Sequence, residues 1–302
     1  MTASLDDILA RALERPRNLS VADLTRLVSL EDPEERRIVR AAAYGLKCRI
    51  AGKLVSMRGI VEIGNVCAKD CLYCGIRRSN ANLERYRLSI DDILRMAEAD
   101  AKAGYASIVL QGGEIESEAN TVFIEECLRG MAHLDLGVTL SLGEQSEEVY
   151  RRWKEAGASR YLLRIETSSP ELYARLHPAD HSWTRRVECL TALRRCGYQV
   201  GTGVMSALPG QSMKDLARDI VFFGDRDVDM IGMGPYIPHP DTPLASEPQT
   251  LNNAGRLQLG LNMIAATRLY LHDVNIAATT ALQALAPDGR EQGILAGANV
   301  MM

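Results

Sequence analysis

Eight short apolar runs in strict alternation with amphipathic helical stretches constrain this chain more than any other feature. The runs fall at 59–63, 107–110, 138–142, 161–165, 199–205, 229–233, 274–278 and 298–301. Between them, helical stretches lie near 90–103, 118–133, 147–156, 184–195, 213–225, 258–271 and 289–295. Such alternation means βα repeats and a parallel sheet. The count and the chain length favour a (β/α)8 barrel of the TIM type over a doubly wound sheet. Ahead of the first run, Leu5, Ile8, Leu9 and Leu13 recur at helical spacing, Ser20 is placed to cap a helix from Val21, and 35–49 reads as a third helix. The expected organisation is a helical extension over 1–55 and a barrel over 56–302, with no linker rich in Pro, Gly or Ser. The eighth run has no helix after it. The expectation is therefore a missing final helix, with apolar residues of strand eight and its neighbours facing water unless a longer natural chain or a partner covers them.

Composition excludes several classes. Of 302 residues 46% are hydrophobic and only 5% aromatic, which implies a globular chain with an aliphatic core. A net charge of −4 offers no concentrated basic face for nucleic acid. No apolar run is long enough to span a bilayer, and MTASLDDILARALERP lacks the basic and apolar regions of a secretory signal, so a cytoplasmic location is expected. In that setting the seven cysteines should be thiols or metal ligands, not disulfides.

Three of the seven are grouped. Cys67-Ala68-Lys69-Asp70-Cys71-Leu72-Tyr73-Cys74 spaces them as C-x3-C-x2-C directly after the first strand, where a parallel barrel carries its catalytic face. Three thiolates can hold three irons of a four-iron cluster and leave the fourth iron open to a ligand. A closed structural zinc site would need a fourth ligand, and the next cysteine is Cys127. Cys48, Cys127, Cys189 and Cys196 read as packing residues. Lys69, Arg77, Arg78, Arg85 and Arg87 flank the motif as a solvated basic face or as a dock for an acidic electron donor. His239, in a Pro-rich turn, needs no role beyond a rigid loop.

The cysteine motif, with Tyr73 between its last two cysteines, resembles the signature of the radical S-adenosylmethionine (SAM) superfamily. Further segments are similar to the HydE group, maturases of iron–iron hydrogenase. These include Gln111-Gly112-Gly113-Glu114, Ser141-Leu142-Gly143-Glu144, Arg164-Ile165-Glu166-Thr167, Leu208-Pro209-Gly210-Gln211, Pro238-His239-Pro240-Asp241 and Ala278-Thr279-Thr280. The resemblance runs from about Gly59 onward. It implies that Cys67, Cys71 and Cys74 bind a 4Fe–4S cluster whose open iron takes SAM, which is then cleaved to a 5′-deoxyadenosyl radical. It also assigns Tyr73 to adenine, Gly112, Gly113 and Glu114 to the SAM ammonium, Glu166 to the ribose region and Arg185 to the SAM carboxylate. Arg164, Thr279 and Thr280 would hold a substrate carboxylate. The implied partners are a small-molecule or organometallic iron–cysteine substrate, an electron donor such as flavodoxin or ferredoxin, and other hydrogenase maturases.

Each assignment has a plainer reading: a Gly-Gly turn, an ion pair, or threonines as mere strand formers. Two departures stand out. HydE-like chains tend to have glycine where this one has Ala207, whose methyl is expected to narrow the pocket. The region that carries a second iron–sulfur site in some relatives has no counterpart, so no auxiliary cluster is expected. A biotin-synthase-like reaction needs cysteines on barrel strands, and none of the eight runs has one. A methylornithine-synthase-like rearrangement is the closest enzymatic rival. A non-catalytic iron–sulfur carrier would not need the SAM residues.

Overall fold

A computed structural model describes residues 3–302. Three helices come first: α1 (Leu5–Glu14), α2 (Val21–Val28) and α3 (Pro33–Ala51). Each starts at a side chain that accepts a backbone N–H of its first turn, namely Ser4, Ser20 and Asp32. The barrel segment opens with β1 (Ser56–Met57) and β2 (Gly59–Gly64), followed by α4 (Ile90–Lys102), β3 (Ser107–Gly112), α5 (Glu118–Met131), β4 (Gly137–Ser141), α6 (Glu147–Glu155) and β5 (Ala158–Leu162). Next come α7 (Pro170–Leu176), α8 (Trp183–Arg195), β6 (Gln199–Thr202), β7 (Met205–Ser206), α9 (Met213–Asp225), β8 (Met230–Ile231) and β9 (Gly234–Pro235). The remainder is α10 (Asn253–Leu271), β10 (Asn275–Ala278), α11 (Thr280–Leu285), α12 (Gly289–Leu295) and β11 (Val300–Met301). No helix among the described residues is long and apolar enough to cross a membrane.

Nine strands form one all-parallel sheet in the order β1-β11-β10-β8-β6-β5-β4-β3-β2. Because β1 and β2 are consecutive pieces of one segment parted at Arg58, the sheet is an almost closed ring. Arg58 N–H donates to the Met301 carbonyl at 2.9 Å, stitching the seam. The expected eight-stranded barrel is thus observed, with its first strand split in two. β7 and β9 make a separate parallel pair at the upper rim. Burial of both faces is clearest in β3, where Ile108, Val109 and Leu110 are fully inaccessible.

The expectation of a bare eighth strand is corrected. No helix follows β11 among the described residues, yet Ala298 and Val300 are 0% exposed. The cover comes from the other end of the chain: α3 packs along α10 and α12. A Cβ placed on Gly297 would lie 3.0 Å from Arg268 Cβ on α10 and 3.4 Å from Ala43 Cβ on α3, so the two helices close over the approach to β11.

Candidate functional site

The cysteines lie on the long connection from β2 to α4, which has little regular structure and is held by polar side chains instead. Arg85 donates to the carbonyls of Asn65 (2.6 Å), Ile76 (2.8 Å) and Arg77 (2.6 Å). Arg77 grips Asp70 with two bonds of 2.9 Å, and Asp70 also accepts from Ser79. Asn65 donates to the Glu84 carbonyl and accepts from the Tyr86 N–H, both at 2.8 Å. Arg87 stacks on the Phe123 ring and bonds Asn120. These residues are fasteners, not a free basic face; of the five basic residues flanking the motif, Arg78 and Arg87 are exposed, and Arg87 is engaged by Phe123 and Asn120. The connection is also tied from above, since Leu72 N–H donates to the Leu176 carbonyl and the Leu72 carbonyl accepts from Leu244.

Cys67, Cys71 and Cys74 are all half-buried free thiols. Cys67 Sγ accepts the Glu114 N–H at 3.3 Å, and the Ala68 N–H donates back to the Glu114 carbonyl at 2.8 Å. Gly113 makes this contact possible: a Cβ there would fall 2.1 Å from the Val66 carbonyl oxygen and 2.7 Å from Cys67 Cβ. Burial, together with the neighbouring Cys74, pushes the Cys71 thiol up to about 12. Thiolates so placed need a cationic partner, which an iron cluster is, so this donor set fits one. Among the described residues no three His, Cys, Asp or Glu side chains are grouped closely enough for a single metal ion. Thiols that each take a different iron stand further apart than ligands of one ion.

Beneath the loop lies a buried charge network. Glu114 (5% side-chain exposure) and Glu144 (2%) are joined by Lys69 at 3.1 and 3.3 Å. Glu144 N–H donates to Glu114 Oε2 at 2.8 Å. Arg186, 10% exposed, approaches Glu144 at 2.8 Å and Glu114 at 3.9 Å. Arg185, the residue expected to face the SAM carboxylate, is 48% exposed and divides itself between Glu116 (3.2 Å) and Glu144 (3.3 Å). The inward arginine is thus Arg186, which the sequence reading missed; its register with Leu190 and Leu193 on the buried face of α8 is the signal that could have found it. Tyr73 is set edge-on to His177, with Tyr73 Oη 3.2 Å from His177 Nε2. Burial holds His177 down to about 4, so its ring is neutral and Nδ1 donates to the Tyr173 carbonyl.

The barrel mouth holds an open cavity of about 420 Å³ whose wall includes Tyr73, Gln111, Glu62, Arg164, Thr279 and Thr280. Arg164 lies 3.0 Å from Glu166 Oε2 and donates to the Val204 carbonyl, while its Nε is buried without a partner. Strand β5 ends at Leu162, and Glu166 has turned into the left-handed region at φ 65°. A non-glycine there is strained and must be held by its surroundings. Here the loop is held by Asp219, which accepts the N–H and Oγ–H of Ser168, each at 2.6 Å. Thr279 lies just past β10 and donates to the Met233 carbonyl, and Thr280 opens α11, so neither is a mere strand former. Ala207 does not line the cavity. It packs against the core with φ at 62°, so its methyl strains the backbone instead of narrowing the pocket. Cys127 and Cys189 are buried in the main core and Cys196 packs against it, as expected of packing residues.

Residues 61–223 match the radical SAM superfamily model. The [FeFe] hydrogenase maturase subunit HydE of Thermotoga maritima is 44% identical over 279 residues, 92% of this chain and 78% of that protein. The chain belongs to the radical SAM superfamily, in its HydE family. Its cofactors are accordingly a 4Fe–4S cluster and SAM. Among solved structures, methylornithine synthase superposes with a TM-score of 0.85 at 24% identity, covering 99% of this chain and 85% of that one. The hydrogenase maturase HydG of Carboxydothermus hydrogenoformans gives 0.83 at 20%, covering 98% and 70%. At these identities the likeness shows the radical SAM barrel fold.

Proposed function

We propose that this radical SAM enzyme is a HydE-type maturase acting in assembly of the iron–iron hydrogenase active site. One observation carries the reading. The loop that bears the three thiols also contributes Tyr73 to the wall of the cavity that holds Arg164, Thr279 and Thr280. Radical source and substrate would therefore share one space.

In this reading Cys67, Cys71 and Cys74 hold the cluster, and Gly112, Gly113 and Glu114 bring strand-end backbone against it. Arg186, set by Glu144, is better placed than Arg185 to meet the SAM carboxylate, an anion suited to a guanidinium fork. Tyr73 and Glu166 border the nucleoside. When bound, the cluster and SAM supply reductive cleavage to methionine and a 5′-deoxyadenosyl radical. Arg164 and the two threonines orient the carboxylate of a small or organometallic substrate. A flavodoxin or ferredoxin would approach the cysteine loop at its exposed edge near Arg78, in a cytoplasm that keeps the thiols reduced. The other maturases would consume the product. Residues 1–55 serve as a brace on the barrel of 56–302.

Anaerobic reconstitution tests this. Cys67→Ala, Cys71→Ala and Cys74→Ala should each lose the iron–sulfur absorbance and SAM cleavage, while Cys127→Ala and Cys189→Ala keep both. Arg164→Ala should still bind SAM yet fail to support maturation of an apo-hydrogenase supplied with the other maturases. A Cys71→Ala protein that kept cluster and cleavage would overturn the cluster assignment; undiminished maturation by Arg164→Ala would overturn the substrate assignment.

A further inference from the structure

Glu166 stands where the chain leaves the barrel, with its backbone held on both sides. Its N–H donates to the Gly203 carbonyl at 3.0 Å, and its carbonyl accepts the Met205 N–H at 3.1 Å. At φ 65° it is the strained link between β5 and α7. The turn that follows is fastened residue by residue. Thr167, fully buried, accepts the Trp183 indole N–H on its carbonyl (3.3 Å) and the Ser169 N–H on its Oγ1 (3.2 Å). Ser169 then caps α7 by accepting the Leu172 N–H. Between them Ser168 gives both its N–H and its hydroxyl to one oxygen of Asp219, which lies 51 residues further along the chain on α9.

Asp219 is a costly fastener. It is 0% exposed, with Leu216 and Phe223 on the inward face of α9. Burial pushes its carboxyl up to about 7, only the Ser168 bonds draw it back, and Oδ2 is buried with no partner. An apolar side chain would suit that core better, so what Asp219 contributes lies in the turn it holds. We infer that Asp219 is a positioning residue for the cofactor: by gripping Ser168 it locks the turn that keeps Glu166 left-handed, with its carboxylate at the nucleoside of SAM. The inference rests on the placement of Glu166 proposed above. Asp219 does not line the cavity, so its effect passes through Glu166. With Ser168 released, Glu166 relaxes toward the right-handed region and its side chain turns away. A charge-assisted hydrogen bond lost in this way weakens binding roughly ten- to a hundredfold.

A double-mutant cycle read by anaerobic equilibrium dialysis of SAM against the reconstituted protein tests it. Glu166→Gln should weaken SAM about tenfold or more, and Asp219→Ala about fivefold or more. The double variant should lose no more than Glu166→Gln alone. Asp219→Asn should stay within about twofold of wild type, because its amide oxygen can accept both Ser168 bonds. Iron–sulfur absorbance and circular dichroism at the wild-type level show that the variants compared are folded. If Asp219→Ala does not fold, Ser168→Ala takes its place: it drops the hydroxyl bond and should weaken SAM about two- to fivefold, but not on top of Glu166→Gln. Losses that add in the double variant, wild-type affinity in the Ala variant, or an equal loss in Asp219→Asn and Asp219→Ala make Asp219 a packing residue and overturn the inference. The weakening by Glu166→Gln then leaves Glu166 at the cofactor. Wild-type affinity in Glu166→Gln overturns the placement of Glu166 and the inference with it.

Discussion

Arg185 and Arg186 are adjacent, and the structure makes them unequal in a measurable way. Arg186 is nearly inaccessible, with its guanidinium 2.8 Å from Glu144. Arg186→Met fills the space but leaves two buried carboxylates, Glu114 and Glu144, to Lys69 and the half-exposed Arg185. Removing one partner of a buried pair costs about 3–5 kcal/mol. For 302 residues, an unfolding entropy of about 2.1 cal/mol/K per residue gives about 0.6 kcal/mol/K, so Tm should fall by about 5–8 °C. Arg185→Met removes contacts to Glu116 and Glu144 from a side chain 48% exposed. Solvent screening limits that loss to about 1 kcal/mol, or under about 2 °C. Thermal melts followed by circular dichroism read these shifts, and equilibrium dialysis with SAM supplies the functional arm. SAM affinity should fall about tenfold or more in Arg186→Met and stay near wild type in Arg185→Met. Arg186→Lys should recover part of the stability and less of the affinity, because an ammonium keeps the charge but not the fork. A greater loss of stability or SAM affinity in Arg185→Met than in Arg186→Met would refute the assignment of Arg186 as the inward residue.

Two further outcomes follow from backbone and burial. Ala207→Gly should relieve about 1–2 kcal/mol of left-handed strain against about 0.5–1 kcal/mol of added chain freedom, raising Tm by about 1–2 °C; a fall in Tm would mean that the methyl's packing outweighs its strain. Burial raises the Asp219 carboxyl to about 7, so near pH 5 the folded chain retains a proton that the unfolded chain has released. Its contribution to stability should therefore decline as pH rises from about 4 to 7, and Asp219→Asn should flatten that part of a Tm–pH profile. An unchanged profile in the variant would place the slope elsewhere.

The barrel was legible because its strands are apolar on both faces and its helices are long enough to show their period. α9 falls where its periodicity puts it, at Met213–Asp225. Two helices went unread, α7 and α11, with seven and six residues, too short for a repeat to declare itself. Thr279 and Thr280 looked like a strand end, since nothing in two β-branched residues announces a helix start. That three cysteines share one loop after the first strand was readable from their spacing alone. Arg186 was not, because neighbouring helical residues differ by about 100° in direction and only packing decides which one turns inward. The strain at Glu166 and Ala207 is likewise invisible in residue type, being imposed by the chain around them.

The seam at Arg58 bears on how the molecule is made. β11 pairs with β1 across nearly the whole chain, Ser56 opposite Val300 and Met57 opposite Met301. During synthesis the edge of β1 emerges long before the two residues that will lie beside it, whereas β10 (Asn275–Ala278) precedes β11 (Val300–Met301) only shortly. Until those residues leave the ribosome the nascent barrel is an open sheet with two unpaired edges, the form most prone to join a neighbouring chain. Such a long-range closure is also slow, since its loop entropy must be overcome before any contact rewards it. The last short strand is therefore the keystone of an arch, and the interval before it is set marks the period when this chain most needs a chaperone.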